Sequence, residues 1–261
     1  MKRLFIVLTV WAALAAFSAQ AQTQTLSVAA TAVPHAELLE QVKPVLESQG
    51  IKLEIRVFTD YVQPNVQVVE RRLDANFFQH QPYLDSFNSS RNTTLVSVAG
   101  IHVEPFGVYS NRHESLDDLP NRAQVAIPND VTNGGRALLL LQTAGLITLN
   151  PDAGITASPR DIVSNPKNLR FNELEAATLP RVLNQVDLAL INTNYALEAG
   201  LNPMDDALII EGTDSPYVNI LVTRAGQEDN PALLALRDAL RSEAVRAFIE
   251  ERYEGAVVPA F

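Results

Sequence analysis

Short apolar segments alternate with helical patterns along almost the whole chain, and this alternation constrains the fold more than any other feature. Residues 26–30, 124–127 and 186–191 have the length and apolar content of buried strands, and helical periodicity follows the first two. Strands that alternate with helices are typical of α/β layers in which the strands run parallel. The sequence therefore predicts an α/β fold with mostly parallel sheets.

The order of these segments predicts two lobes rather than one. Residues 107–216 contain a complete set of strands and helices of their own, and residues 22–106 and 217–261 would together complete the other lobe. The chain would then cross between the lobes twice. A cleft between two lobes joined by two crossing strands is the natural place for a ligand.

Proline and glycine give several local predictions. Pro34 is expected at the first position of a helix, Pro44 is expected to kink or shorten that helix, and Gly50 is expected to end it. Another helix is expected to begin near Pro64. Its core-facing residues are predicted to be Val66, Val69 and Leu73.

Residues 1–21 have the layout of a secretory signal peptide. Lys2 and Arg3 precede an apolar run over residues 4–17, and Ala19-Gln20-Ala21 forms a small-x-small cleavage site. The run is shorter than the roughly 20 residues that a membrane-spanning helix needs. We therefore expect cleavage after Ala21 and a freely diffusing, monomeric protein of the periplasm.

Composition and motif content exclude several classes of function. The chain has no cysteine, which rules out disulfides and thiolate metal sites, and its formal net charge of −10 makes nucleic acid an unsuitable partner. No GxSxG or HExxH motif occurs, and His35, His80, His102 and His113 lack the spacing of metal ligands. We expect no catalytic residue, metal or cofactor, with an enzyme or a metal-binding receptor as remote alternatives.

The stretch over residues 74–84 is the first candidate for a ligand site, because three aromatic rings and an imidazole lie close together in it. Pro82 pushes Gln81 out of the α region, so His80 is expected where a short strand ends. Ligand clefts open at such strand ends in α/β sheets. A buried aromatic cluster is the structural alternative, although the polar side chains of the stretch suit a dry core poorly.

Arg136 is the second candidate. It is predicted in the first turn of a helix that follows a strand and a Gly134-Gly135 loop, where the N–H groups and the helix dipole favour an anion. Its guanidinium would add a bidentate grip on a carboxylate. A surface arginine beside a loop is the alternative. Asn192 and Asn219, at or in apolar strands, fit a structural role as well as a ligand role.

Several segments resemble motifs of the NlpA/MetQ family, the methionine-binding proteins of ABC importers, and occur in the family's order. They are TDYVQPN, DANFFQHQPYL, VAIPNDVTNGGRALLLLQTAGLI, ALINTNYA, DSPYVNILVTR and the tail GAVVPAF. The resemblance covers nearly all of the chain after residue 21. It implies a two-lobed, type II periplasmic-binding-protein-like fold. It also implies a receptor that captures L-methionine, or D-methionine, and delivers it to the membrane subunits of an importer.

The resemblance also implies a role for each site residue. Aromatic positions of the family surround the methionine side chain, an arginine takes the carboxylate, and asparagines meet the amino and carboxylate groups. The matching residues here are Tyr61, Phe78, His80 and Tyr83, then Arg136, then Asn192 and Asn219. Because these positions do not discriminate among related ligands, a methionine dipeptide or another small amino-acid-like molecule stays an alternative.

The resemblance departs from the family at the predicted cleavage site. Many members are lipoproteins held by a cysteine at that site, whereas Gln22 follows Ala21 here. We therefore expect no lipid anchor, and the departure leaves open whether a dedicated importer uses this protein.

Overall fold

The computed structural model describes residues 23–212 and 215–261. The predicted signal peptide, its cleavage site and Gln22 lie outside these residues, so the expectations about export and anchoring stay predictions. No helix in the described part of the chain is both long and apolar enough to cross a bilayer.

The strands and helices alternate as the sequence predicts. The strands are β1 (Gln24–Ala30), β2 (Ile51–Val57), β3 (Ala75–His80), β4 (Leu95–Val103), β5 (Gly107–Tyr109), β6 (Gln124–Pro128), β7 (Thr148–Leu149), β8 (Ile162–Ser164), β9 (Arg170–Leu174), β10 (Leu188–Ile191), β11 (Ile209–Ile210), β12 (Val218–Arg224) and β13 (Val258–Pro259). The α-helices are α1 (Glu37–Ser48), α2 (Gln63–Val69), α3 (Gln81–Arg91), α4 (Val131–Thr143), α5 (Thr193–Glu198), α6 (Pro203–Asp206), α7 (Pro231–Leu240) and α8 (Glu243–Tyr253). Short 3-10 turns lie at Leu116–Asp118, Gly154–Thr156, Pro159–Asp161 and Ala176–Val182.

Two mixed sheets carry the fold. The first sheet has the strand order β13-β4-β12-β3-β1-β2, and the second has the order β11-β5-β10-β6-β9. In the first, β1 runs parallel to β2 and β3, while β12 runs antiparallel to β3 and β4. In the second, β6 runs parallel to β9 and β10, while β5 runs antiparallel to β10 and β11.

The expectation of α/β sheets is confirmed, but the expectation that the sheets are mostly parallel is wrong. The cause is the double crossing of the chain. Strand β4 carries the chain out of the first sheet and β12 brings it back, so these neighbours run in opposite directions. The same holds for β5 and β11 in the second sheet.

Each sheet is buried against its own helices. Phe77 and Leu221 of the first sheet belong to a core that includes buried residues of α1, α7 and α8. Ile127 of the second sheet packs in a separate core with Leu138 of α4. Because each sheet has its own core, the contacts between the sheets are left to the residues at the strand ends.

The first helix differs from its prediction at Pro34, and Pro44 does not end it. Pro34 lies in a turn that precedes α1, which begins only at Glu37, and α1 continues through Pro44 to Ser48. Pro44 is exposed, so the helical carbonyl that loses its N–H partner there faces water and can be hydrated. Gly50 ends the segment with a φ of +76°, as predicted.

The second helix is shorter than expected, and two of its three predicted core-facing residues are confirmed. Leu73 is buried in the same core as Val68, and Val66 packs against that core. Helix α2 ends at Val69, before Leu73, and it buries Pro64, Asn65 and Val68. Val69 is 36% exposed. Asn65 is buried because its side chain bonds Asn76 and Gln79 of β3, a requirement that hydrophobic periodicity does not register.

Helix α4 begins earlier than predicted. It starts at Val131, with Asp130 as the N-cap residue, and the two glycines lie inside it rather than in a loop. Arg136 therefore lies in the second turn, and its predicted place in the first turn is wrong. The Asp130 carboxylate accepts a hydrogen bond from the backbone N–H of Asn133 (2.9 Å), so the protein itself supplies an anion at this helix end.

The two glycines of α4 are required by close packing rather than by a turn. A Cβ atom on Gly134 would lie 2.9 Å from the Pro128 carbonyl oxygen, and one on Gly135 would lie 2.2 Å from the Ile155 carbonyl oxygen. Both neighbours are backbone atoms, which cannot rotate away as a side chain can. The glycines thus allow α4 to approach two backbone segments closely.

We expect Gly135→Ala to destabilise the fold, because the added methyl group forces backbone to move; overpacking of this kind costs about 1–3 kcal/mol or more. Gly212→Ala is the matched control, since Gly212 is exposed and its Cβ would meet no atom within 4 Å. Denaturant unfolding of both variants measures the difference. Equal free energies of unfolding would contradict the packing role of Gly135.

Candidate functional site

A cavity lies between the two sheets, at the carboxyl ends of β3 and β10, and we call it the cleft. It holds about 340 Å³ of empty space including its opening, of which about 20 Å³ can hold the centre of a water molecule. The walls therefore lie close together. The lining residues are Tyr61, Phe78, Gln79, His80, Tyr83, Glu104, Asn133, Arg136, Asn192, Thr193, Asn194 and Asn219.

Every residue that the sequence predicted for ligand binding lines the cleft. These residues are Tyr61, Phe78, His80, Tyr83, Arg136, Asn192 and Asn219. They come from both sheets and from segments far apart in the chain, so the fold brings the sequence motifs to one place. Their roles toward a ligand stay predictions.

An aromatic wall forms one side of the cleft. The ring centroids of Tyr61, Phe78 and Tyr83 are 5.9 Å apart in each pair. The ring centroid of Tyr61 also lies 4.9 Å from that of Tyr195, in α5. The Tyr83 hydroxyl donates a hydrogen bond to the Tyr61 carbonyl (3.0 Å). Such a wall offers polarisable faces and edges to an apolar or thioether side chain.

His80 ends β3 and caps α3, which confirms its predicted place at a junction. Its Nδ1 accepts a hydrogen bond from the backbone N–H of Tyr83 (3.2 Å), so Nε2 carries the proton and donates to Asn133 Oδ1 (3.2 Å). Burial, helped by the positive charge of Arg136, lowers the pKa of His80 to about 3. The ring is therefore neutral and tied at both nitrogens.

The amide of Asn192 has a fixed orientation. Asn133 donates through Nδ2 to the Asp130 carboxylate (3.0 Å), so its Oδ1 is left to accept from His80 and from Asn192 Nδ2 (2.9 Å). Asn192 Oδ1 then has no hydrogen-bond partner among the described residues, although it is buried. It provides an acceptor at the cleft.

Asn194 and Asn219 have the opposite arrangement. The Tyr61 hydroxyl donates to Asn194 Oδ1 (2.5 Å), and the buried Asn194 Nδ2 lacks a partner in the described parts of the chain. Asn219 Oδ1 accepts from His35 Nε2 (3.0 Å), which leaves its Nδ2 as the group for a ligand. Both residues therefore bring N–H donors to the cleft, which suit a carboxylate better than an ammonium.

Arg136 is buried and partly engaged by the protein. Its Nε and Nη2 donate to the Glu211 carboxylate, with Nε–O distances of 3.1 and 3.2 Å, and Nη2 also donates to the Glu104 carbonyl (2.8 Å). The guanidinium carbon lies 4.2 Å from the centroid of the Tyr217 ring. The Nε–Nη2 edge of the guanidinium is therefore occupied by a carboxylate of the protein itself, and the bidentate grip on a ligand carboxylate stays a prediction.

The structure also reveals site residues that the sequence analysis missed. Glu104 lines the cleft, and its Oε1 lies 2.8 Å from His102 Nε2 and 3.3 Å from His35 Nε2. His102 and Glu104 are two residues apart, so they share one face of an extended chain, which was the available signal. No such signal existed for Asn133 or Asn194, whose contacts depend on the packing of the two sheets.

His35, His102 and Glu104 also form a group that could hold a metal ion, since their ligand atoms lie within 4.8 Å of one another. The structure thus brings together two histidines that are dispersed in the sequence. Their short N–O distances are those of hydrogen bonds, and a metal would have to replace these bonds. Thr31 Oγ1 donates to His35 Nδ1 (2.7 Å) and completes that ring's pairing.

The buried amides of β3 have a structural role. Asn76 and Gln79 each donate to Asn65 Oδ1, over 2.8 and 2.6 Å, and Asn65 donates back to Gln79 Oε1 (2.8 Å). This network fastens α2 to β3. The polar content of the stretch over residues 74–84 is therefore shared between the cleft and an internal amide cluster.

Comparison with known proteins agrees with this fold. Residues 26–261 match the model of the NlpA lipoprotein family. The chain is 38% identical over 271 residues to the methionine-binding lipoprotein MetQ of Bacillus subtilis, covering 99% of each chain. It is 44% identical over 218 residues to the D-methionine-binding lipoprotein MetQ of Salmonella typhimurium, covering 83% of this chain and 80% of the relative.

A solved structure gives the same result. The nutrient binding protein of Burkholderia cenocepacia, whose structure is bound to methionine, superposes with a TM-score of 0.88 at 45% identity, over 90% of this chain and all of the other. The fold is thus the two-lobed α/β fold of substrate-binding proteins. The chain belongs to the NlpA lipoprotein family.

The neutral histidines give a prediction about pH. Burial lowers the pKa of His35 to about 4 and those of His80 and His102 to about 3. Below about pH 6.5 the unfolded chain therefore binds protons that the folded chain does not bind, and stability falls as the pH falls toward 4. Each such histidine contributes about 1.4 kcal/mol per pH unit in this window.

We expect His80→Gln to reduce this pH dependence. Between pH 6 and pH 4.5, the slope of the unfolding free energy against pH should be smaller than in the parent by about 1.4 kcal/mol per unit. Denaturant unfolding of the ligand-free protein at several pH values measures it. Identical slopes would show that His80 is not held neutral by the fold.

Proposed function

We propose that this protein is a solute-binding protein that captures methionine in the cleft and delivers it to the membrane subunits of an ABC importer. The observation that carries the proposal is one cavity that combines an aromatic wall with separate hydrogen-bond donors and acceptors. The names of the MetQ relatives and the methionine-bound structure of the Burkholderia protein support the choice of ligand.

Each part of a methionine zwitterion has a suitable partner. The thioether side chain would pack against Tyr61, Phe78 and Tyr83, with His80 at its edge. The carboxylate would accept hydrogen bonds from Arg136 Nη1 and from the Nδ2 groups of the asparagines. These asparagines are Asn194 and Asn219. The ammonium group would donate to Asn192 Oδ1.

The magnitudes allow useful affinity. Burial of a methionine side chain contributes roughly 1.5–3 kcal/mol, and each charge-assisted hydrogen bond contributes roughly 1.5–3 kcal/mol. Several of these exceed an association cost of order 4–15 kcal/mol. A dissociation constant of about a micromolar or below, equivalent to about 8 kcal/mol, is within reach.

We propose lobe boundaries that follow the sheets. Residues 22–106 and 217–261 would form the first lobe and residues 107–216 the second. The membership of the two sheets supports this division, because β1 to β4, β12 and β13 belong to one and β5, β6 and β9 to β11 belong to the other. Closure about the two crossings would enclose the ligand and create the form that the importer recognises.

The ligand alternatives are D-methionine, a methionine dipeptide and another small amino acid. Calorimetry against L-Met, D-Met and Gly-Met, with protein refolded to remove bound ligand, distinguishes them. Recovery of unchanged methionine supports a binding protein over an enzyme, and tight stoichiometric zinc binding would favour the metal-receptor alternative instead.

Arg136→Ala should weaken L-methionine binding by several kcal/mol, because a buried charge partner of the carboxylate is lost. Arg237→Ala is the control, since Arg237 does not line the cleft and pairs with its neighbour Asp238 (2.7 Å). Calorimetry of both variants measures the change. If Arg136→Ala binds as tightly as the control, the assignment of Arg136 to the ligand carboxylate is wrong.

We also propose that the protein is exported to the periplasm and acts there as a monomer without a lipid anchor. The signal-peptide pattern of residues 1–21 and Gln22 at the predicted cleavage site support this, whereas the relatives above are named lipoproteins. The mass of the protein isolated from the periplasmic fraction should equal that of a chain beginning at Gln22. A mass increased by acyl chains would contradict the proposal.

A further inference from the structure

A second groove, which we call the outer groove, runs along the boundary of the two proposed lobes and shares no lining residue with the cleft. It holds about 570 Å³ of empty space including its opening. Leu197 and Asn202 line it from the second lobe, and Val33, Tyr253 and Ala256 line it from the first. A movement of one lobe against the other therefore changes this groove together with the cleft.

Helix α5 links the cleft to the outer groove. Asn194, at its start, lines the cleft, and Leu197, one turn later, packs against the core of the first sheet. Helix α6 follows at once, and the N–H of Leu201 in the short connection donates a hydrogen bond to the Ala196 carbonyl of α5 (2.9 Å). A displacement at the outer groove is thus transmitted to the cleft through a short, hydrogen-bonded segment.

Met204 makes a contact between the lobes beside the outer groove. It lies in α6, where its N–H donates to Asn202 Oδ1 (3.1 Å). A Cβ atom on Gly255 would lie 3.6 Å from Met204 Cε and 3.7 Å from Met204 Sδ, so the methylthio group packs on the backbone between α8 and β13. The walls of the cleft lie close together in this structure. The contact therefore belongs to the form in which the lobes meet.

The thioether of Met204 is open to chemical attack from solvent. The residue is 51% exposed. The chain has no cysteine, and its other methionine is Met1, in the predicted signal peptide, so Met204 carries the only sulfur atom after residue 21. Among protein side chains, thiols and thioethers are those that climb an oxidation ladder under oxidants, and exposure favours the reaction. Oxidation of this chain is therefore directed to one residue, at a contact between the lobes.

We propose that Met204 is a site of reversible oxidation, and that its sulfoxide loosens the contact between the lobes and weakens retention of the ligand. The inference rests on the proposed function, because it concerns the ligand of the same cleft. The oxidant is a peroxide. A lone pair of Sδ attacks one oxygen of hydrogen peroxide, the O–O bond breaks, and the second oxygen leaves as water after it takes the proton of the first. Sulfur loses two electrons and the peroxide gains them.

The sulfoxide disfavours the closed form because it is polar. In that form the methylthio group rests on the backbone at Gly255, where a sulfoxide oxygen loses part of its hydration. When the lobes separate, the same group is hydrated on all sides. A ligand that binds the closed form must then supply the free energy of this desolvation, and its apparent affinity falls.

The first test asks whether Met204 is the oxidised residue. The purified, ligand-free protein is treated with hydrogen peroxide, the peroxide is removed, and the protein is digested and mapped by mass spectrometry. The peptide that contains Met204 should gain one oxygen atom, and the corresponding peptide of Met204→Leu should gain none. If free methionine in the same vessel is oxidised while Met204 stays unmodified, the proposal is overturned.

The second test asks whether the contact controls retention. Calorimetry with L-methionine should show binding to the oxidised protein that is weaker by at least about threefold, close to the factor that loss of one buried methyl group's contact produces. Methionine sulfoxide reductases of both stereospecificities should restore the mass and the affinity. Unchanged affinity of the fully oxidised protein overturns the role of the contact. Weak binding that persists after the mass is restored overturns its reversibility.

Two variants separate this contact from other effects of peroxide. Met204→Leu keeps an apolar side chain without sulfur, so its affinity should be the same before and after treatment. Adding Val163→Met to that variant places a thioether in β8, at a residue that is 66% exposed and lines neither the cleft nor the outer groove. This double variant should gain one oxygen atom and keep its affinity. A loss of affinity equal to that of the parent in either variant overturns the assignment to Met204.

These results separate the two proposals. An untreated parent protein that does not bind L-methionine overturns the proposed function, and the peptide map still decides whether Met204 is the oxidised residue. A parent that binds L-methionine equally well before and after complete oxidation of Met204 overturns only the further inference.

Discussion

The hydrogen-bonded series from His80 through Asn133 to Asn192 is the interaction on which the site depends. It joins the end of β3 in the first sheet to the end of β10 in the second, and it passes through α4. Each member fixes the orientation of the next. An amide whose oxygen already accepts a hydrogen bond presents its N–H groups to the next residue, and an amide whose nitrogen already donates presents its oxygen. The Asp130 carboxylate begins this order, and a buried acceptor on Asn192 ends it.

The same constraint explains how charges are distributed around the cleft. Neutral histidines provide directional donors without adding charge, since burial makes their charged forms unfavourable. Arg136 is balanced by Glu211, and Glu104 faces only neutral partners. This distribution suits the zwitterionic ligand proposed above, because each of its charges would meet an opposite or complementary group.

Local signals in the sequence predicted the elements well where the cause is local. Gly50 ends the segment after α1 as expected, because the positive φ needed there depends on the residue itself. Pro44 lies inside α1 and does not end it. The prediction failed at Gly134 and Gly135, because they are glycines on account of the close approach of backbone from distant segments.

The site divides in the same way. The sequence by itself determined the α/β class, the aromatic stretch over residues 74–84 with His80 at a strand end, and the expectation that Arg136 lies near a ligand cleft. These follow from periodicity, backbone restrictions and family motifs. Only the tertiary structure decided that Arg136 shares its guanidinium with Glu211, and which end of each asparagine amide meets the cleft. It alone brought His35, His102 and Glu104 together. The physical reason is that amide orientation and charge balance depend on neighbours supplied by the other sheet, and local sequence does not encode those neighbours.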